Sequence, residues 1–169
     1  MVKKDIFYTD HETVFSELLH FIKERTYDMN INSYIIASNK GRAALKVKES
    51  VGDSNVVSVT EFTYSENMKK QMKKLKIIPV EKVSLPIQDR RGMKEGLLFF
   101  GEGMKAALEV SSIAVEKGLV KGDCISIAGG KGGFDTVILV KPSSFEYFDS
   151  PNPKERMQVL EILVLPSRR

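Results

Sequence analysis

The sequence predicts an α/β domain built around a parallel sheet, and three observations lead there. Helical and strand-like patterns alternate from about residue 10 to residue 80, with short connections between them. Two glycine-bearing turns, at 38–42 and 129–136, each follow directly on a strand-like run. The chain has 169 residues, 42% hydrophobic and 28% charged, the profile of one packed domain rather than of a disordered or fibrous chain. At that length it should bury roughly 70% of the surface its unfolded form exposes, so a core can form without disulfide or metal staples. No internal repeat, low-complexity tract or linker divides residues 1–169, and a single domain is expected.

The elements follow in order. Ile6, Phe7 and Tyr8 give an N-terminal arm some strand character. Thr9 or Asp10 is placed to cap a helix to about Tyr27, whose apolar stripe is Val14, Phe15, Leu18, Leu19, Phe21 and Ile22. Residues 33–37, SYIIA, form a short buried strand, and 42–51 a helix that turns Ala44, Val47 and Val51 toward the sheet. Residues 56–60 are the next strand, 66–74 a third helix, and 76–80 a third strand, with Pro79 at its end or on a sheet edge. A run of this kind favours parallel strands covered by helices, with right-handed crossovers. Residues 81–96, with Pro86, Gly92 and Gly96, break the rhythm as an ordered loop or a flap containing a short helix. A long helix is expected over 97–117, then strands at 123–128 and 136–140 around the turn 129–133. One or two helical turns within 142–148 and a last strand over 157–165, at an edge, complete the prediction.

Charge and composition narrow the function classes. Twenty-six Lys and Arg against 22 Asp and Glu give a net charge of +4. That mild excess suits a small anionic ligand as well as nucleic acid. The one dense basic run, KKQMKKLK over 69–76, has no interleaved aromatics for base stacking, so it is read as a solvated helix face and nucleic acid is disfavoured. Cys124 is the sole cysteine and has no partner for an internal disulfide. The basic start MVKKD has no apolar stretch behind it, and no run of 18 uncharged apolar residues occurs. A cytoplasmic protein that does not enter the membrane is the expectation.

The first candidate site is Ser38, Asn39, Lys40, Gly41 and Arg42, where a strand ends and a helix begins. A helix start leaves about four N–H groups unpaired, and the helix dipole adds partial positive charge, so a phosphate is at home there. Ser38 and Asn39 can donate side-chain hydrogen bonds, Gly41 permits close approach, and Lys40 and Arg42 bring charge. Plain capping by Ser38 or Asn39 is the competing reading. The turn matches neither the P-loop pattern nor the dinucleotide GxGxxG fingerprint, which disfavours a P-loop kinase and a standard Rossmann dehydrogenase.

The second candidate is AGGKGGFDT over 128–136, with four glycines in five positions. That density is entropically costly unless the backbone needs unusual dihedrals or a close contact. Gly129, Gly130 and Gly132 would approach a ligand, while Asp135 and Thr136 could hold a ring edge or a ribose; a flexible turn between two strands is the alternative. Ligands of open α/β sheets lie beyond the carboxyl ends of the strands, so the two turns are expected to face one crevice. His11 and His20 are too poorly placed for a triad or a zinc site, and Cys124 is read as structural. Glu102 and Glu109 lie seven apart on one helix face, a common pattern without diagnostic weight. Arg90 and Arg91 could close over an anion or simply lie in a solvated loop.

The stretch SYIIASNKGRAALKV (33–47) resembles the strand–turn–helix segment of the pyruvate kinase C-terminal domain, where a Ser/Thr-x-x-Gly-Arg turn holds an effector phosphate. Together with EVSSIAVEKGL (109–119) and IAGGKGGFDT (127–136), it makes the chain similar to small stand-alone archaeal proteins of that pyruvate kinase α/β-domain-like type. The resemblance implies a three-layer α/β/α fold with a mostly parallel sheet and a phosphate-bearing ligand, flavin mononucleotide (FMN) or similar, in the crevice. It implies phosphate contacts from Ser38, Asn39, Gly41 and Arg42, and further contacts from Gly129, Gly130, Gly132, Asp135 and Thr136. The barrel and the catalytic and metal-binding residues of pyruvate kinase are absent, so kinase activity does not carry over. Three functions remain open: a flavin- or nucleotide-binding protein with or without oxidoreductase activity, a non-enzymatic phosphometabolite sensor, and an interaction protein without ligand. Homo-oligomerisation is expected through the C-terminal strand and the apolar helix 104–117.

Overall fold

The computed structural model describes residues 4–10, 14–130 and 133–167. Seven strands form one sheet in the order β1-β7-β6-β5-β2-β3-β4. They are β1 (Phe7–Thr9), β2 (Ser33–Ala37), β3 (Asn55–Val59), β4 (Ile78–Val80), β5 (Cys124–Gly130), β6 (Gly133–Lys141) and β7 (Gln158–Pro166). Every neighbouring pair is parallel except the two that involve β6, which alone runs against the others. The helices are α1 (Phe15–Thr26), α2 (Arg42–Val51), α3 (Glu66–Lys74), α4 (Arg91–Leu97) and α5 (Glu102–Glu116), with 3-10 turns at Leu98–Phe100 and Phe145–Tyr147. The fold is α/β with helices on both faces of a mostly parallel sheet, a three-layer α/β/α arrangement.

Strand alternation sorts the core into two halves. Tyr34 and Ile36 of β2 face Leu18 and Ile22 of α1, Ala44 and Val47 of α2, and Met72 of α3. Ile35, between them in sequence, faces the other way, toward Met104, Ala107, Leu108 and Val110 of α5. From β2 the chain steps outward to β3 and β4 with α2 and α3 on one face. It then returns across β2 to β5, with α5 on the opposite face. Crossovers of one hand that reverse direction must put their helices on opposite faces. The reversal leaves a topological switch point between β2 and β5, beyond the carboxyl ends of both strands.

Three sequence expectations need correction. The helix expected over 97–117 is broken at Gly101, which has φ of 97°; α4 ends at Leu97, a 3-10 turn covers Leu98–Phe100, and α5 starts at Glu102. A side chain at Gly101 would also meet the Pro166 ring at 2.8 Å, so the break lets the chain pass the end of β7. Strand β7 is not an edge: β6 pairs along one side, and the N-terminal arm, as β1, pairs with Val164–Pro166 on the other. Helix α1 begins at Phe15 behind Val14, without a side-chain cap, because Thr9 is already the last residue of β1. The edge strands are β1 and β4, and Pro79 sits within β4 as expected of an edge. Among the described residues no helix is long and apolar enough to cross a membrane.

Candidate functional site

Strand β2 delivers Ser38 to the switch point, and the turn that follows is held from within. The Ser38 N–H donates to the Val59 carbonyl at 3.0 Å, which continues the β2–β3 ladder one residue past the strand. Its Oγ accepts from the Gly41 N–H at 3.1 Å, and its own carbonyl accepts from the Tyr64 hydroxyl at 2.8 Å. Tyr64 also pairs with Ser58 Oγ at 2.8 Å. Burial, chiefly, pushes the Tyr64 phenol up to about 12; the bond to Ser58 opposes this and the Glu81 charge adds to it. Tyr64 therefore stays a neutral donor throughout the physiological range. Asn39 Oδ1 accepts from Thr60 Oγ1 at 3.4 Å, which ties the turn to the next strand end.

Gly41 is the N-cap of α2 and takes φ of 77°, a left-handed conformation that suits glycine. The cap has no side chain to offer, and the first turn of α2 carries no acidic residue. Ser38 satisfies the Gly41 N–H rather than an amide inside the helix. The start of α2 is thus open, with Lys40 and Arg42 exposed beside it. Neither cation has a hydrogen-bond or ion-pair partner among the described residues.

The start of α5 reaches the same end of the sheet from the opposite face, and it is filled. Pairing between β5 and β6 passes from Ala128–Thr136 to Gly129–Phe134, so Asp135 is the extra residue of a β-bulge. Its Oδ1 accepts from Thr136 Oγ1 at 2.8 Å. Gly103, in the first turn of α5, packs so closely on Thr136 and Asp135 that no side chain would fit there. Burial, chiefly, raises the Asp135 carboxyl above its ordinary value; Thr136 and the Gly130 backbone oppose the rise, and Glu102 adds to it. Asp135 and Glu102 place carboxyl groups at the start of α5 from within the protein. The start of α2 has no such carboxyl group in its first turn.

Between these ends lies a cavity of about 410 Å³. Its lip is made by Ser38, Asn39, Lys40 and Arg42 on one side and Gly129 and Gly130 on the other. The two glycine-bearing turns therefore face one crevice. Gly41 lies behind the lip, packed on Met68 and Met72, and Asp135 and Thr136 are turned toward α5 instead of lining the wall. Gly132 lies outside the described residues. The inner wall is aliphatic, from Val59, Val83, Leu85 and Val110.

Thr60 and Glu61, just past β3, also line the cavity, and the rule of strand carboxyl ends that located Ser38 could have found them. Val83 and Leu85 carry no such signal. They belong to the irregular segment after β4, which is fixed as an ordered wall. The Val83 N–H donates to the Thr60 carbonyl at 3.3 Å, and the Ile87 N–H donates to the fully buried Glu109 at 2.8 Å.

The remaining candidates lie elsewhere. Arg90 packs over the Phe145 ring at 4.5 Å and pairs with Asp149, while Arg91 pairs with Glu95. His20 is paired with Glu24 on the surface of α1, and His11 lies outside the described residues. Cys124 is buried. Among the described residues, no group of three or more His, Cys, Asp or Glu is arranged to hold a metal ion.

Fold and crevice together define a class: an open α/β protein with a ligand-sized, partly apolar cavity at its switch point. No family model matches the chain.

Proposed function

We propose that this protein binds a phosphate-bearing small molecule in the crevice between β2 and β5, with FMN the first ligand to test. One observation carries the reading: the uncapped, acid-free start of α2 opens on a cavity lipped by two unpaired cations, Lys40 and Arg42. A phosphate there would be met by first-turn N–H groups, by the helix dipole and by the Arg42 guanidinium. The cavity volume lies within the usual range for small-molecule sites, and Val59, Val83, Leu85 and Val110 suit the apolar body of a ring system. These residues fit FMN: the Ser38–Arg42 turn would hold its phosphate and the aliphatic wall its ring. When bound, the flavin would supply the redox chemistry, and the chain would position the ring and shield it from water. The likeness of residues 33–47 to the effector-phosphate segment of the pyruvate kinase C-terminal domain supports the same placement. A second reading, in which the protein senses a phosphometabolite without converting it, draws on the same turn, cations and cavity. We place either activity in the cytoplasm, where a free buried thiol such as Cys124 persists without a disulfide partner.

The test is direct. The absorbance spectrum of protein purified without added cofactor is recorded, and the apo form is then titrated with FMN. Binding at micromolar FMN is expected, and Arg42→Glu should weaken it about tenfold or more, because a repulsive charge replaces an attractive one. Wild-type-like affinity in that variant would remove the phosphate from α2. Protection from heat by sugar phosphates, with none from FMN, would select the sensor reading.

A further inference from the structure

A second hollow opens on the far side of the α2 start. It has a volume of about 270 Å³ and is walled by Phe15 and Leu18 of α1, Lys46 of α2 and Phe134 of β6. Arg42, Ala43, Gly133 and Phe134 line both hollows, so the two are compartments of one cleft divided at the first turn of α2. Their chemistry differs. The larger compartment carries the aliphatic wall of Val59, Val83, Leu85 and Val110, with the Glu61 carboxylate and the shared Phe134 beside it. The smaller one is aromatic: the Phe15 and Phe134 rings lie 5.7 Å apart at 50°, and Lys46 Nζ stands 5.4 Å from the centre of the Phe15 ring. Arg42 and Lys46 are four residues apart on α2, so they share one ridge and present two positive charges along the boundary.

We propose that the cleft takes a dinucleotide: two ring systems joined by a pyrophosphate, with the linker across the first turn of α2. One ring occupies the aliphatic compartment. The second, a nucleobase, lies against Phe134 and Phe15, where a flat ring gains stacking that an aliphatic group does not. A pyrophosphate has two anionic groups to match the Arg42 and Lys46 ridge, whereas a monophosphate engages only the lip. This inference rests on the phosphate reading above and adds the ligand class: a mononucleotide would leave the aromatic compartment unfilled.

The experiment compares matched pairs of probes, FMN with FAD and nicotinamide mononucleotide with NAD, by titration against the wild type, Phe15→Leu and Lys46→Glu. Phe15→Leu keeps an apolar side chain of similar bulk and removes a ring that lines only the smaller hollow. Lys46→Glu changes an exposed side chain and leaves the core intact. In at least one pair the dinucleotide should bind the wild type about tenfold more tightly than its mononucleotide, the gain expected of one base stack. Both variants should erase that advantage while mononucleotide affinity stays within about twofold. Equal affinity within both pairs overturns the dinucleotide proposal and leaves the phosphate site standing. An advantage that survives both substitutions also overturns it, since the second ring would then lie elsewhere. If no member of either pair binds, the dinucleotide proposal fails, and the phosphate reading then stands or falls with the sugar phosphates of the heat-protection test.

Discussion

Gly41 and Gly129 both need to be glycine, for different reasons, and the difference fixes the order of their effects. Gly41 has φ of 77°, and a Cβ there would meet Met72 Cε at 2.5 Å and Met68 Sδ at 2.9 Å. Those atoms are the far ends of flexible side chains and can yield. The lasting penalty is the left-handed backbone, so Gly41→Ala should cost roughly 1–2 kcal/mol. Gly129 has ordinary φ, but its Cβ would overlap the Gly133 carbonyl oxygen and approach Phe134 Cα at 2.8 Å. Backbone cannot yield without opening the β5–β6 hairpin, so Gly129→Ala should cost about 3 kcal/mol or more, the upper end of overpacking. Urea denaturation of the two variants should therefore rank Gly129→Ala well below Gly41→Ala. The reverse order would mean that the hairpin relaxes more easily than the turn. Glycine density announced 129–133 as special in the sequence, but not the cause. The bulge that brings Gly133 against Gly129 depends on the register between two strands, which no local pattern encodes.

At the scale of elements, the wall formed by residues 83–87 depends on one buried contact. Glu109 of α5 is 0% exposed; one carboxylate oxygen accepts from the Ile87 N–H at 2.8 Å and the other pairs with Lys105 at 2.8 Å. Burial, chiefly, raises its carboxyl above the ordinary value, while Lys105 and the Ile87 N–H oppose the rise. Glu109→Leu would leave the Ile87 amide without an acceptor and Lys105 without its partner. Lys105 is 14% exposed and can reach water, so the loss should be about 2–3 kcal/mol, below the 3–5 typical of a fully buried pair. Hydrogen exchange should localise it: the Ile87 amide should exchange much faster, with strands β2 and β3 little changed. Uniform acceleration across the sheet would deny the wall any independence. The sequence places Glu109 on a helix but does not separate it from a solvated carboxylate, because the Ile87 amide that buries it lies 22 residues away and Lys105 on the preceding turn is an ordinary helix-face pair. Local periodicity served the regular elements better. The stripe of α2, the helical span of α3 and the apolar run of β2 match the observed elements. The apolar stripe of α5 continues upstream beyond the helix, and the break comes where Gly101 takes φ of 97° against Pro166. Strand β7 looked like an edge because the short arm that covers it, β1, is the most distant strand in the chain.

For the whole molecule, the switch point ties stability to the site, since β2 and β5, which carry the crevice, are also central strands of the sheet. Cys124 opens β5, is 0% exposed, and packs in the core under α5. Burial, chiefly, pushes its thiol up to about 12, with the Asp123 charge adding and Ser111 opposing. Strands paired on both sides offer no local route for a reagent, so alkylation should require global opening. Iodoacetamide should therefore modify the native protein on the order of a thousandfold or more slowly than the unfolded chain, given ordinary domain stability. The rate should rise with urea on the full slope of global unfolding. The thiol also sets a sign for pH. Its folded value lies above the ordinary 9.0, so the neutral form contributes stability that is fully present below pH 9 and is lost as pH rises toward about 12. Unfolding free energy should then fall more steeply with pH across that window in the wild type than in Cys124→Ala. Fast modification of native protein, or a shallow urea slope, would mean that β5 opens by itself and that the crevice lies on a mobile strand rather than on the rigid centre of the sheet.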